Sequence, residues 1–133
     1  MAESNFDVNE AFARGDARRR QVLGDDYVER SNQNLDELTK AWRRFATEVS
    51  WGQVWTRPGL DLKTRSMCTV AALVAVGDMR ELKTHVRGAL RLGVTPEELA
   101  EVFIQIACYA GMPRGGGAFA TLKDILSESE SGT

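Results

Sequence analysis

No Cys-x-x-Cys pair occurs in this sequence, and its two cysteines, Cys68 and Cys108, stand far apart. Neither a zinc knuckle nor a thioredoxin-type dithiol is available, and the remaining reading is two free thiols buried in apolar surroundings. Strong charge of either sign is lacking too. The formal net charge is −2, so no basic field points to nucleic acid, and the Arg18-Arg19-Arg20 run reads as a solvated helix face. No apolar run is long enough to span a membrane. The N-terminus has neither the basic nor the apolar region of a signal peptide, so a cytoplasmic protein is expected. No segment alternates with period two, which leaves an all-α fold. At 133 residues the chain is one domain's length.

Residues 1–13 are polar with scattered Phe6, Val8 and Phe12 and read as an arm or a frayed helix; the arm as a whole is placed at 1–17. Helical pieces follow at Asp16–Leu23 and Asp25–Asn32, with Gly24 between them. Asn34, with Glu37 three residues on, has the form of a capping box for a helix bearing Leu35, Leu38, Trp42, Phe45 and Val49. That stripe is core or subunit interface. The stretch Trp51–Leu60 breaks the pattern and reads as an ordered loop turned by Pro58-Gly59.

Asp61 caps a helix running to Val76, whose second half, Met67–Val76, is apolar almost all round. Such a helix has to be enclosed on every side, and so short a chain needs neighbouring subunits to do it. Gly77-Asp78 turns the chain into a helix ended by Gly93, and the two form a central hairpin. Thr95-Pro96-x-Glu98 starts the next helix, which Gly111 and Pro113 end. Arg114–Gly117 reads as a flexible connection, and the glycines are a weak phosphate motif because no strand precedes them. A last helix spans 118–126 with Phe119, Leu122 and Ile125 inward, and 127–133 reads as a disordered tail.

The single histidine, His85, lies four residues after Glu81, so the two share a helix face bordered by Leu82, Val86 and Ala89. A carboxylate beside an imidazole in a partly dry setting is suitable acid/base equipment, and it is equally a plain i,i+4 surface pair. Arg57, between aromatics on the loop, either grips an anion or bonds helix-end carbonyls. Trp51 and Trp55 either wall a pocket or only pack. Arg65 serves a substrate or an inter-subunit salt bridge. Tyr109 is core with a satisfied hydroxyl, or a further substrate contact.

The segments Arg19-Arg20-x-Val22-Leu23-Gly24, Trp51-Gly52-x-Val54-Trp55-Thr56-Arg57-Pro58-Gly59-Leu60-Asp61, Thr64-Arg65-Ser66, Glu81-Leu82-Lys83-x-His85-Val86-Arg87, Gly93-Val94-Thr95 and Tyr109-x-Gly111-x-Pro113 follow one another in order. This series resembles the carboxymuconolactone decarboxylase family over residues 18–126, a family with the alkylhydroperoxidase D-like helical fold. The resemblance implies a compact helical domain assembled as a homohexamer. It implies cofactor-free decarboxylation of γ-carboxymuconolactone to β-ketoadipate enol-lactone in protocatechuate catabolism, with no metal. The substrate would be a small dicarboxylate lactone, and its lactone carbonyl would accept the electrons left by CO2. The protein would hold the dianion, stabilise the enolate and protonate carbon.

By the same resemblance His85 and Glu81 are catalytic. Glu81 would favour the imidazolium or itself shuttle the proton. Arg57, Trp55, Trp51, Arg65 and Tyr109 would bind substrate, Arg57 in a bidentate way. Asp78 and Glu81 stand where peroxidatic relatives place cysteines, so a hydroperoxide reductase is not supported. The segment Arg114–Gly117 departs from the family pattern. It leaves room for a paralogue acting on another small lactone or β-keto acid, and a non-catalytic oligomeric helical protein is the alternative of another class.

Overall fold

The computed structural model describes residues 9–131, which are helical with no strand among them. The chain divides into two compact units, the first ending at Leu60 and the second beginning at Asp61. Phe6 and Val8 of the expected arm lie outside the described residues, as do 132–133 of the expected tail.

The first unit opens with α1 (Glu10–Leu23), so helix begins well inside the stretch read as an arm. Asn9 makes this possible: its side-chain oxygen accepts from the Phe12 N–H at 2.8 Å and satisfies a helix-end donor. Gly24 ends α1 at φ 91°, a conformation glycine adopts at little cost, and α2 (Asp25–Ser31) follows at once.

The next cap differs from expectation. Asn34 sits in the left-handed region at φ 61° and belongs to the preceding turn. The box is made by Asp36 and Thr39 instead, with the Thr39 N–H donating to Asp36 Oδ1 and the Asp36 N–H to Thr39 Oγ1, both at 2.9 Å. Asp36 is extended, the backbone an N-cap requires, whereas left-handed Asn34 cannot serve as one. Helix α3 (Glu37–Ala46) starts there and buries none of its residues. Leu38, Trp42 and Phe45 are 83%, 65% and 57% exposed, so of the two roles expected for the stripe, core is excluded within the chain.

Where a loop was expected from Trp51, the chain stays helical. Helix α3 runs on into a π-helical segment, Thr47–Val54, and irregular turns begin only beyond it, before Asp61. The wider winding ends with the Trp55 N–H donating to the Ser50 carbonyl at 2.9 Å. Its reason lies in packing on α1. A Cβ on Gly15 would stand 1.9 Å from the Thr47 carbonyl oxygen, and one on Gly52 would stand 2.2 Å from that of Ala11. Two backbones therefore meet where only glycine fits.

The second unit holds α4 (Leu62–Val76), α5 (Met79–Arg91), α6 (Pro96–Ala110) and α7 (Met112–Ser131). The expected hairpin of α4 and α5 is present. Asp61 caps α4 by accepting from the Thr64 N–H at 2.7 Å, and Gly77 ends it at φ 83°. Asp78 then caps α5 through the Glu81 N–H at 3.1 Å. Thr95 and Glu98 form the expected box on α6, with Pro96 in the first turn. Val70, Val74, Leu82, Val86, Ala89, Leu99, Phe103, Leu122 and Ile125 form the core of this unit. One face of each helix supplies it. The rest of α4 stays open: Cys68, Ala72, Ala75 and Val76 are exposed, so this chain alone does not enclose the helix. Cys68 and Cys108 are free, as expected, but exposed and not buried.

The segment Arg114–Gly117 is helical and part of α7, not a flexible connection. Each glycine costs about 1 kcal/mol of helix propensity against alanine, yet two of them sit against close neighbours. A Cβ on Gly115 would lie 2.6 Å from the Ala107 Cβ, which is how closely α7 packs on α6. Gly117 faces the Met79 sulfur. Arg114 donates to the Val76 carbonyl at 3.0 Å, tying α7 to the end of α4. Past Leu126, α7 continues to Ser131. Arg87 and Lys83 of α5 both pair with Glu128 there, so the expected tail is helical through these residues.

Gly15→Ala and Gly52→Ala are each expected to destabilise the protein by about 2–3 kcal/mol or more, since a backbone cannot swing aside as a side chain can. Gly59, with nothing within 4 Å of an added Cβ, should tolerate alanine within about 0.5 kcal/mol. Urea denaturation of the three variants measures both.

Candidate active site

In the second unit α5 carries both residues of the expected acid/base pair, Glu81 and His85. Its inner face buries Leu82, Val86 and Ala89. His85 lies beside that face, half-buried, while Glu81 is exposed. The imidazole has left most of its water, and burial lowers its pKa from 6.5 to about 4. Desolvation penalises the charged form, and the exposed Glu81 carboxylate does not offset it. At neutral pH His85 is therefore a neutral imidazole, one nitrogen donating and the other accepting. The direction of the shift runs against the imidazolium, one of the two roles expected for Glu81 beside shuttling the proton.

Arg65 lies on α4, half-buried, twelve residues before Gly77, whereas His85 is eight after it. In a helical hairpin this separates their levels by roughly 6 Å along the axis. Tyr109, near the end of α6, is 84% exposed, which excludes the core role considered for it. The Arg114–Gly117 departure has local structural employment in helix packing and in the Val76 contact.

In the first unit Trp51 and Trp55 are both buried, with ring centroids 4.8 Å apart and stacked at 20°. The two indoles pack on each other at the end of the π-helical segment. Arg57 follows two residues later in a turn closed by its own N–H to the Val54 carbonyl at 3.0 Å, and the residue is exposed.

One residue was not picked out from the sequence. Arg19, read as part of a solvated face, is only 3% exposed. Its guanidinium donates to Ser31 Oγ at 2.8 Å and lies against the Tyr27 ring at 6.0 Å. Burial, followed by the like charge of Arg43, lowers its pKa to about 10, still charged at neutral pH. Arg20 has the expected surface role, paired with Asp16 at 2.9 Å and Glu29 at 2.7 Å. The signal available was the helical register: Arg19 stands four and three residues from Gly15 and Val22, both buried. Among the described residues no three His, Cys, Asp or Glu side chains are grouped to hold a metal ion.

Residues 37–124 match the carboxymuconolactone decarboxylase family. The chain is 37% identical over 110 residues to a 4-carboxymuconolactone decarboxylase of Acinetobacter baylyi, covering 83% of this chain and 82% of the relative. It is 40% identical over 123 residues to a nitrosuccinic acid decarboxylase of Metarhizium robertsii, covering 90% and 86%. The chain belongs to the carboxymuconolactone decarboxylase family. It is a decarboxylase, an enzyme of the carboxy-lyase class. No described helix is long and apolar enough to cross a membrane.

The depressed pKa of His85 has a stability consequence. The folded state keeps the imidazole neutral to about pH 4, while the unfolded chain takes a proton near 6.5. The unfolded state binds more protons between these values, so stability is full above pH 6.5 and falls as pH is lowered towards 4. The loss amounts to at most about 3 kcal/mol. His85→Gln should flatten the fall in melting temperature over that window, as calorimetry at several pH values would show.

Proposed function

We propose that this enzyme decarboxylates γ-carboxymuconolactone to β-ketoadipate enol-lactone, a step of protocatechuate catabolism, and works as a homo-oligomer, a hexamer. The observation that carries the reading is the identity with the Acinetobacter enzyme over more than four-fifths of both chains. In the reaction the bond from the γ carbon to its carboxylate breaks and CO2 departs. The electron pair moves through the ring onto the lactone carbonyl oxygen as a dienolate, and a proton is then added at carbon. The electron sink belongs to the substrate, so no cofactor is required.

The neutral state of His85 bears on its role. A neutral N–H is suited to donate a hydrogen bond to the developing enolate oxygen in a site largely free of water. It gives the oxyanion a partner without first tying up the departing carboxylate in a salt bridge. Exposed Glu81, in exchange with solvent, is the proposed carrier of the proton. Arg57 is the proposed grip on the remaining carboxylate, its planar fork matching two carboxylate oxygens. Arg65 and Tyr109 are secondary substrate contacts, and the Trp51–Trp55 stack supports the turn that carries Arg57.

A second reading is favoured by the 40% identity with the nitrosuccinic acid enzyme. Nitrosuccinate is also a small dicarboxylate that carries its own sink, with a nitro group on the carbon that loses CO2. The two substrates ask the same of the protein: two carboxylates held, one oxyanion stabilised and one proton returned to carbon.

Purified enzyme assayed for CO2 release on both substrates decides between them; a kcat/KM at least tenfold higher for the lactone is expected, and the reverse ratio would establish the second reading. On the preferred substrate, His85→Ala should lower kcat by about 10²–10⁴-fold with its helical circular dichroism intact. Near-normal turnover in that variant removes His85 from the mechanism. Arg57→Ala should act mainly on KM.

A further inference from the structure

The glycine contacts of the first unit fix the register of two helices. Gly52 stands against Ala11, and Gly15 against Thr47. Helix α1 therefore runs antiparallel to the continuous helix made by α3 and the π-helical segment. One further turn brings Arg19, four residues after Gly15, level with Arg43, four residues before Thr47. The electrostatics agree with this register: after burial, the like charge of Arg43 is the next cause that lowers the Arg19 pKa to about 10. Two guanidiniums thus lie near one another between α1 and α3.

Neither forms an ion pair among the described residues. Arg19 is buried, and its hydrogen bonds go to neutral acceptors, Ser31 Oγ at 2.8 Å and Asn32 Oδ1 at 3.4 Å. Ser31 is itself fixed, its hydroxyl donating to the Val28 carbonyl at 2.8 Å. These contacts aim the guanidinium without cancelling its charge. Arg43 is half-buried, and its Nε is sealed from solvent with no hydrogen-bond partner among the described residues. Carboxylates on the neighbouring turns are engaged elsewhere: Asp16 accepts from Arg20 at 2.9 Å and Glu48 from Arg44 at 2.8 Å. A buried charge is ordinarily paired, and a buried donor ordinarily finds an acceptor.

We propose that Arg19 and Arg43 form a binding site for a small oxyanion, a single carboxylate or phosphate group held between the two guanidiniums. The planar forks match the oxygens of such a group, and charge-assisted hydrogen bonds of this kind are short and strong. One negative charge between the arginines turns their mutual repulsion into a shared attraction. Size is selected by access. A guanidinium only 3% exposed admits one small group and not a nucleic-acid strand, which calls for an extended basic surface. The site gathers side chains from α1 and α3 and the end of α2, so a bound anion ties these three helices together. It is independent of the decarboxylase reading.

Isothermal titration calorimetry of the full-length protein with inorganic phosphate, and separately with malonate, tests this at constant ionic strength. Binding of one anion per chain in the millimolar range or tighter is expected for at least one of them, and the tighter of the two tells phosphate from carboxylate. At ten times its Kd the anion should raise the melting temperature by about 3–6 °C. Arg43→Gln should weaken binding by about tenfold or more and remove the shift, with helical circular dichroism and decarboxylation unchanged. Arg57→Gln should leave the binding as it is, which separates this site from the proposed grip on substrate. Absence of binding by both anions overturns the site. Binding that persists in Arg43→Gln, or that is lost in Arg57→Gln, overturns it as well, and none of these results touches the decarboxylase reading.

Discussion

The apolar seam along α5 is the constraint on which the second unit depends. Leu82, Val86 and Ala89 share its core with Val70 and Val74 of α4, Leu99 and Phe103 of α6, and Leu122 and Ile125 of α7. Burial of this many large side chains outweighs the cost of ordering four helices. The same burial dehydrates the edge of α5, where His85 stands. Packing and chemistry are linked here: the contacts that hold α5 in place also set the charge of its histidine.

Close backbone approach plays the corresponding part in the first unit. Gly15 and Gly52 let α1 lie against the π-helical segment at a separation no side chain permits. The segment in turn stacks Trp51 on Trp55 and delivers the chain to the turn at Arg57. Helix α3, which enters it, keeps its basic residues on the less exposed side and its aromatic ridge outside. Neither the ridge nor the open side of α4 is enclosed by the chain that makes it. The fold and the proposed assembly are in this sense one problem.

Family membership narrows the chemistry to decarboxylation, and the relatives broaden what is decarboxylated. A lactone and a nitro acid share little shape. They share two carboxylates and an internal electron sink. Discrimination then rests on side chains that meet the parts the two substrates do not share. The Arg114–Gly117 departure holds α7 against α6 and α4.

Much of this was legible in local sequence. Caps at Asp61 and Thr95, stops at Gly24, Gly77 and Gly111, and the hairpin of α4 and α5 follow from hydrogen bonds and backbone angles within a few residues. The pairing of Glu81 with His85 on one face is a matter of helical spacing, and the Trp51–Asp61 motif marked the family. Other features were decided by tertiary structure, because they depend on what lies across from a residue rather than beside it. The glycines at 115–117 resemble a linker until Ala107 and Met79 are seen against them. The ridge of α3 resembles core until Leu38, Trp42 and Phe45 are found exposed. Arg19 resembles a surface charge until Ser31 and Tyr27 close over it. His85, placed beside a carboxylate by the sequence, takes its charge state from burial, a property that only the packed fold possesses.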